Sequence, residues 1–246
     1  MNLLLVLLFG ILIGSFLNVC IYRIPRKEDI VYTPSHCMSC GNQVKWYDLV
    51  PVFSWLALGG KCRYCKTKLS KQYPLIELSN GAAYMGIFYI LGFTKEAVVT
   101  SILFSALLVV SMIDMKWKII PNGINIFILV VGIIYVMVFS KTYLSSIIGF
   151  FAVSLILLLV NILTKGQMGM GDVKLMAVCG VIIGWQNIVL ALMVGSIIGS
   201  IVGLILIGTK IKDKKELIPF GPYLSIGIMI AALWGKNIID MYLNLF

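Results

Sequence analysis

Two aspartates, Asp114 and Asp172, stand at the ends of long apolar stretches in a chain that keeps almost all its other charge out of such stretches. A carboxylate near hydrocarbon costs roughly 3 kcal/mol even on the lenient insertion scale, and it normally marks a relay, a pathway or a catalytic site. Asp172 closes the run Gly169-Met170-Gly171-Asp172, whose glycines relax the backbone and let a second chain approach closely. Each acid also has an ordinary reading. Asp114 precedes Met115-Lys116-Trp117-Lys118, a pattern that can end a helix at an interface. Asp172 can cap a helix starting at Val173, and the glycines can serve helix packing. The two acids nevertheless share a setting, since each ends or begins an apolar span and each precedes a lysine by two residues.

Two carboxylates brought together supply what peptide hydrolysis without a metal needs. One stays ionised and takes a proton from water; its protonated neighbour polarises the scissile carbonyl and passes a proton to the leaving amine. Such a pair titrates as a coupled dyad. No serine–histidine pair competes, because the single histidine, His36, adjoins a cysteine cluster.

That cluster is the second group with evident chemistry. Cys37-Met38-Ser39-Cys40 and Cys62-Arg63-Tyr64-Cys65 are two CxxC pairs separated by 21 residues, close to the spacing of four-thiolate zinc sites. The expectation is structural zinc on Cys37, Cys40, Cys62 and Cys65, since four thiolates leave no open position for water. The alternative is a redox pair or unligated thiols. His36 is then a bystander, and Cys20 and Cys179, inside apolar runs, pack as small hydrophobes.

The elements that must carry these groups follow from composition. With 60% hydrophobic and 12% charged residues the chain is too apolar for a soluble globule and fits an all-α polytopic membrane protein. Apolar runs give eight candidate spans, near 3–22, 75–93, 97–113, 120–139, 143–163, 172–184, 188–208 and 218–235. The sixth is short and spans only if Gly169 to Asp172 dips into the membrane. This divides the chain into a first transmembrane helix (1–22), a polar zinc-binding loop domain (23–73) and a transmembrane core (74–246). The net charge of +10 does not imply nucleic acid, because the basic residues lie between apolar runs and form no single binding face.

Those basic residues set the orientation. With the N-terminus outside, the inner loops collect Arg23, Arg26, Lys27, Lys45, Lys61, Arg63, Lys66, Lys68, Lys71, Lys116, Lys118, Lys165, Lys174, Lys210, Lys212, Lys214 and Lys215, leaving Lys95, Lys141 and Lys236 outside. The positive-inside rule then puts Asp114, Asp172 and the 23–73 loop on the cytoplasmic side, where thiols stay reduced.

Several segments in order carry a family resemblance. Gly14-Ser15-Phe16-Leu17-Asn18-Val19 runs on through Ile21-Tyr22-Arg23-Ile24-Pro25, followed by the paired CxxC motifs and Tyr73-Pro74-Leu75-Ile76-Glu77. Next come Asp114 with Ile120-Pro121-Asn122, then Gly169-Met170-Gly171-Asp172-Val173-Lys174, then Pro219-Phe220-Gly221-Pro222. Together they resemble the bacterial type IV prepilin peptidases over nearly the whole chain. The resemblance implies a GXGD-type aspartic endopeptidase of the inner (cytoplasmic) membrane, with Asp114 and Asp172 as its catalytic pair. Its implied partners are the lipid bilayer and substrates of the prepilin and pseudopilin type, which lose a short basic leader at the cytoplasmic face. It further implies N-methylation of the new terminus with S-adenosylmethionine.

Other expectations are local. Gly169 and Gly171 let substrate backbone reach the acid. Glu77, opening the second span, is a methyl-transfer candidate, against an ordinary role as a helix-start carboxylate. A proton-coupled transporter also places aspartates beside broken helices, but no inverted repeat is evident. A membrane assembly factor docking through the zinc loop is the other reading.

Overall fold

Lipid offers a spanning backbone no hydrogen-bond partner but itself, so apolar runs of this length fold as helices. The computed structural model describes residues 2–164, 166, 169–209 and 218–244. Among them the α-helices are α1 (Leu3–Arg23), α2 (Phe53–Ala57), α3 (Gln72–Leu91), α4 (Lys95–Trp117), α5 (Asn122–Tyr135), α6 (Tyr143–Leu163), α7 (Met170–Ile183), α8 (Trp185–Gly208) and α9 (Gly221–Leu243). All but the short α2 fall where the sequence calls for spans. Six are long and apolar enough to cross a membrane: α1, α4, α5 with the π-helical turn Val136–Ser140 that extends it, α6, α8 and α9. α3 has 20 residues but carries Glu77 and Asn80, and α7 has only 14, a rise of about 21 Å. No strand forms among the described residues. The protein is a multi-pass α-helical membrane protein. Of the lysines behind the orientation expectation, Lys165, Lys210, Lys212, Lys214 and Lys215 lie outside the described residues.

The chain forms two compact units, Met1–Ser105 and Ala106–Phe246, with the division inside α4. In the first, α1 packs along α3. A Cβ at Gly10 would stand 2.8 Å from the Gly81 Cα, and one at Gly14 would stand 2.7 Å from the Glu77 Cα. Small residues allow such closeness where lipid removes the hydrophobic drive for helix association. A buried polar chain completes the contact: Asn80 Nδ2 donates to the Gly10 carbonyl (2.7 Å), Ser105 Oγ donates to Asn80 Oδ1 (2.9 Å), and the Tyr84 and Ser105 hydroxyls are 3.0 Å apart.

In the second unit α7 is central, touching α5, α6, α8 and α9. Asp172, Val173 and the run Leu175 to Val181 are buried, as expected of a helix without an exposed stripe. Backbone at Gly149 on α6 meets backbone at Gly180 on α7 where neither has room for a side chain. Gly184, at φ +80, ends α7, and its N–H caps the Gly180 carbonyl at 3.0 Å. Pro121 precedes α5 and Pro222 sits in the first turn of α9, positions where a missing N–H costs nothing.

Candidate active site and metal centre

Asp114 lies in the last turn of α4 and Asp172 in the first turn of α7, and both line one cavity of about 540 Å³ in the second unit. Both are buried, at 6% and 9% exposure, and they lie within electrostatic reach of each other. Asp114 Oδ2 accepts the Gly221 backbone N–H at 2.9 Å. Asp172 Oδ1 is buried with no protein partner. The capping role considered for Asp172 is not seen: α7 begins at Met170 and receives no side-chain cap. Lys118, left-handed at φ +55, ends α4 by donating its N–H to the Asp114 carbonyl at 2.8 Å, and it lines the same cavity.

The glycines differ in what surrounds them. Gly169 lines the cavity, with a hypothetical Cβ 3.0 Å from Asp172 Oδ2. A Cβ at Gly171 would instead stand 2.8 Å from Ile120 Cβ. Gly221 is an additional member of the site: a Cβ there would lie 2.8 Å from Asp114 Oδ2. Nothing in its residue type marks it. The signal in the sequence is its position between two prolines in Pro219-Phe220-Gly221-Pro222. Across the site's edge Lys174 Nζ donates to Asn122 Oδ1 at 3.0 Å, tying α7 to the start of α5.

The cysteines converge in the first unit. The Sγ atoms of Cys37, Cys40, Cys62 and Cys65 all lie within 4.8 Å of one another, so this set can hold a metal ion. The Cys37–Cys65 separation is 3.8 Å, and thiolates about 2.3 Å from a tetrahedral centre stand about 3.8 Å apart. Each pair sits on a similar knuckle. Cys37 N–H donates to the Asn42 carbonyl and Gly41 N–H to the Cys37 carbonyl; Cys62 N–H donates to the Thr67 carbonyl and Lys66 N–H to the Cys62 carbonyl. Gly41 (φ +72) and Lys66 (φ +58) are the matching left-handed residues, and the bridges His36–Gln43 and Lys61–Lys68 close the two knuckles. Hydrogen bonding with the Thr67 side chain and then with its amide draws the Cys65 thiol down to about 6. The Ser39 and Cys40 amides lower Cys37. Both shifts favour the thiolate that ligates metal, whereas Cys40, against the lowering Asn42 amide, is pushed up to about 11 by desolvation and by the neighbouring cysteines. His36 bonds the Pro34 carbonyl and is outside the metal set. Cys20 and Cys179 are buried and do not belong to the metal set.

Glu77 lies elsewhere in the first unit, at 5% exposure, lining a cavity of about 380 Å³ bounded by α1, α3 and the cysteine loop. Its Oε2 accepts the Val52 N–H at 2.7 Å. Arg23 anchors the loop by donating to the carbonyls of Asp29, Thr33 and Pro34.

Fold and site define a polytopic membrane protein with a buried aspartate pair at one cavity and, in a polar loop, four cysteines able to hold a metal ion. Comparison with known proteins identifies the group. Residues 8–91 match the bacterial peptidase A24 N-terminal domain and residues 101–204 the type IV leader peptidase family. Proteins named prepilin leader peptidase/N-methyltransferase are similar over almost the whole length. One from Stutzerimonas stutzeri is 32% identical over 97% of this chain and 92% of the relative, and one from Pseudomonas aeruginosa has the same values. One from Aeromonas hydrophila is 31% identical over 98% and 94%. The chain belongs to the type IV leader peptidase family. No solved structure matches it.

Proposed function

We propose that Asp114 and Asp172 are the catalytic pair of an endopeptidase that removes the basic leader from type IV prepilins and pseudopilins at the cytoplasmic face of the bacterial inner membrane. The protease core is 74–246, the N-terminus is outside, and the new N-terminus is then methylated with S-adenosylmethionine as donor. The observation that carries this reading is the meeting of two buried carboxylates from different helices in one cavity.

One carboxylate takes a proton from water while the other, protonated, polarises the scissile carbonyl and then protonates the leaving amine. Gly221 holds the Asp114 carboxylate in one orientation through its N–H. The unpartnered Asp172 Oδ1 is free to bind water or the substrate carbonyl. Gly169 leaves the Asp172 side of the cavity open to substrate backbone. A prepilin arrives as a helix, which must unwind locally before its carbonyls can be attacked. The four cysteines would hold zinc as a closed structural centre, with no position for a catalytic water.

The test is cleavage of a purified prepilin by the detergent-solubilised protein, with mass spectrometry of the new terminus. The parent removes the leader, whereas Asp114→Asn and Asp172→Asn do not. An intact parent that cleaves no pilin-like substrate would overturn the reading.

A further inference from the structure

The cavity lined by Glu77 contains groups for which the aspartate chemistry has no use. We infer that it is the methyl-transfer site, in which Glu77 receives the new terminal amine of the cleaved pilin and Trp55 and Asn18 hold S-adenosylmethionine. This rests on the N-methylation reading above.

Glu77 is a buried carboxylate whose hydrogen bonds come from neutral donors, the Val52 amide and the Ser15 hydroxyl. An ionised carboxylate is costly to hold out of water, and it either takes a proton or is stabilised by a cation. A terminal ammonium is such a cation.

The residue that meets Glu77 is held in an uncommon conformation. Val52 has φ +63 and ψ −56, and the Phe53 N–H donates to the Pro51 carbonyl at 2.6 Å across it, which makes a γ-turn of the strained kind. A β-branched residue is strained there, and such strain gathers at ligand sites. Docking the loop on α3 does not by itself require it, since an unstrained amide makes the same bond.

Two further lining groups lack partners. Asn18 is 4% exposed, and while its Nδ2 donates to the Tyr73 carbonyl at 3.1 Å, its Oδ1 is buried and unpaired. Trp55 Nε1 is also buried and unpaired. Each such atom is destabilising until a hydrogen-bond partner meets it. One acceptor and one donor suit a zwitterionic adenosyl donor, which carries ammonium, exocyclic amine, carboxylate and ring nitrogens.

The Trp55 ring is also fixed in place. A Cβ at Gly60 would stand 2.7 Å from Trp55 Cζ2, and Gly60 itself is at φ +65. A rigid indole offers a stacking face to adenine and an attractive one to a sulfonium. The cavity volume falls within the range of small-molecule sites.

The transfer balances with these groups. The terminal ammonium gives one proton to the Glu77 carboxylate, and the freed lone pair on nitrogen forms the bond to the methyl carbon. The carbon–sulfur bond breaks with its pair left on sulfur as a neutral thioether, and the product leaves as a methylated ammonium.

The test uses the full-length protein in detergent and a synthetic pilin peptide that already begins after the leader, so that methyl transfer is read without cleavage. Parent, Glu77→Gln, Trp55→Phe and a Tyr32→Ala control, at a side chain 88% exposed and outside the cavity, are compared for equilibrium retention of radiolabelled S-adenosylmethionine and for methyl incorporation. Glutamine keeps an acceptor for the Val52 N–H while removing the charge and the proton acceptor. Glu77→Gln should lower incorporation about a hundredfold while retaining the donor, and Trp55→Phe should weaken donor retention about tenfold. The control should match the parent. Parent-like binding and incorporation in both variants would overturn the assignment. So would loss of bound metal together with methylation in Glu77→Gln, which would make Glu77 a docking residue. A parent that neither retains the donor nor methylates would instead remove N-methylation itself, and this site with it.

Discussion

The four cysteines and the two aspartates reach their sites by opposite routes. Each cysteine pair is placed by its own few residues: a CxxC turn, a left-handed residue at Gly41 or Lys66, and one antiparallel bridge. Only the meeting of the two knuckles needs the intervening chain. The aspartate site has no such local frame. Asp114 ends one helix, Asp172 begins another, and the amide that fixes Asp114 belongs to Gly221, 107 residues away. A cysteine cluster of this kind tolerates change elsewhere, whereas a carboxylate pair depends on how whole helices pack.

The largest expected effect breaks one region and spares the other. Asp114→Asn or Asp172→Asn should lower the cleavage rate by about a thousandfold or more, with the metal-to-protein ratio and the thermal transition unchanged. Replacing Cys37, Cys40, Cys62 or Cys65 by serine should do the converse. Metal content should fall towards zero, and amide exchange should rise across 23–73, because metal binding to such loops is also their folding energy. Exchange in α5 to α9 should stay as in the parent. Strong protection of 23–73 in a metal-free cysteine variant would show that the knuckles fold without metal.

Intermediate effects fall on the glycines. Gly221→Ala should displace the Asp114 carboxylate and lower cleavage about ten- to a hundredfold, read as kcat, with overpacking costing about 1–3 kcal/mol. Gly171→Ala meets Ile120 instead. A compensating Ile120→Ala should restore thermal stability and cleavage together, whereas stability restored without cleavage would give Gly171 a part in substrate approach.

The smallest effect concerns the loop surface. Arg63 bonds Asp48 in bidentate fashion, Nε to Oδ2 at 2.8 Å and a terminal nitrogen to Oδ1 at 2.6 Å, and this holds the Asp48 carboxyl below its usual range. A carboxyl lowered on folding stabilises fully above its unfolded value, near about 4, and that contribution is lost as pH falls through the lowered folded value. Asp48→Asn should therefore unfold the loop slightly earlier than the parent at neutral pH, with the gap closing on acidification. Proton uptake by the thiols cancels in that difference. A gap that persists at the acid end would remove the ion pair as its cause.

The fold was largely legible because spanning segments announce themselves by length and apolarity. Among the described residues every α-helix but α2 stands where an apolar run lies, and the shortness of α7 could be read from its short run, 172–184. The polarity that separates α3 from the other long helices was less visible, since Glu77 and Asn80 are buried against α1 and a buried polar group cannot be told from an exposed one by type. The two aspartates could be singled out as charges near hydrocarbon. Gly221 could not be assigned as a hydrogen-bond donor, because its contribution is a backbone amide that every residue but proline possesses.

The sequence alone determined the membrane class, the helix positions and the cysteine knuckles, since apolar length and CxxC spacing act through neighbours along the chain. Tertiary structure decided which glycine faces the cavity and which faces Ile120, which amide holds Asp114, and that Glu77 opens into a cavity beneath a strained turn at Val52. Those outcomes depend on the register at which helices and loop meet, a property of contacts between residues distant in the chain.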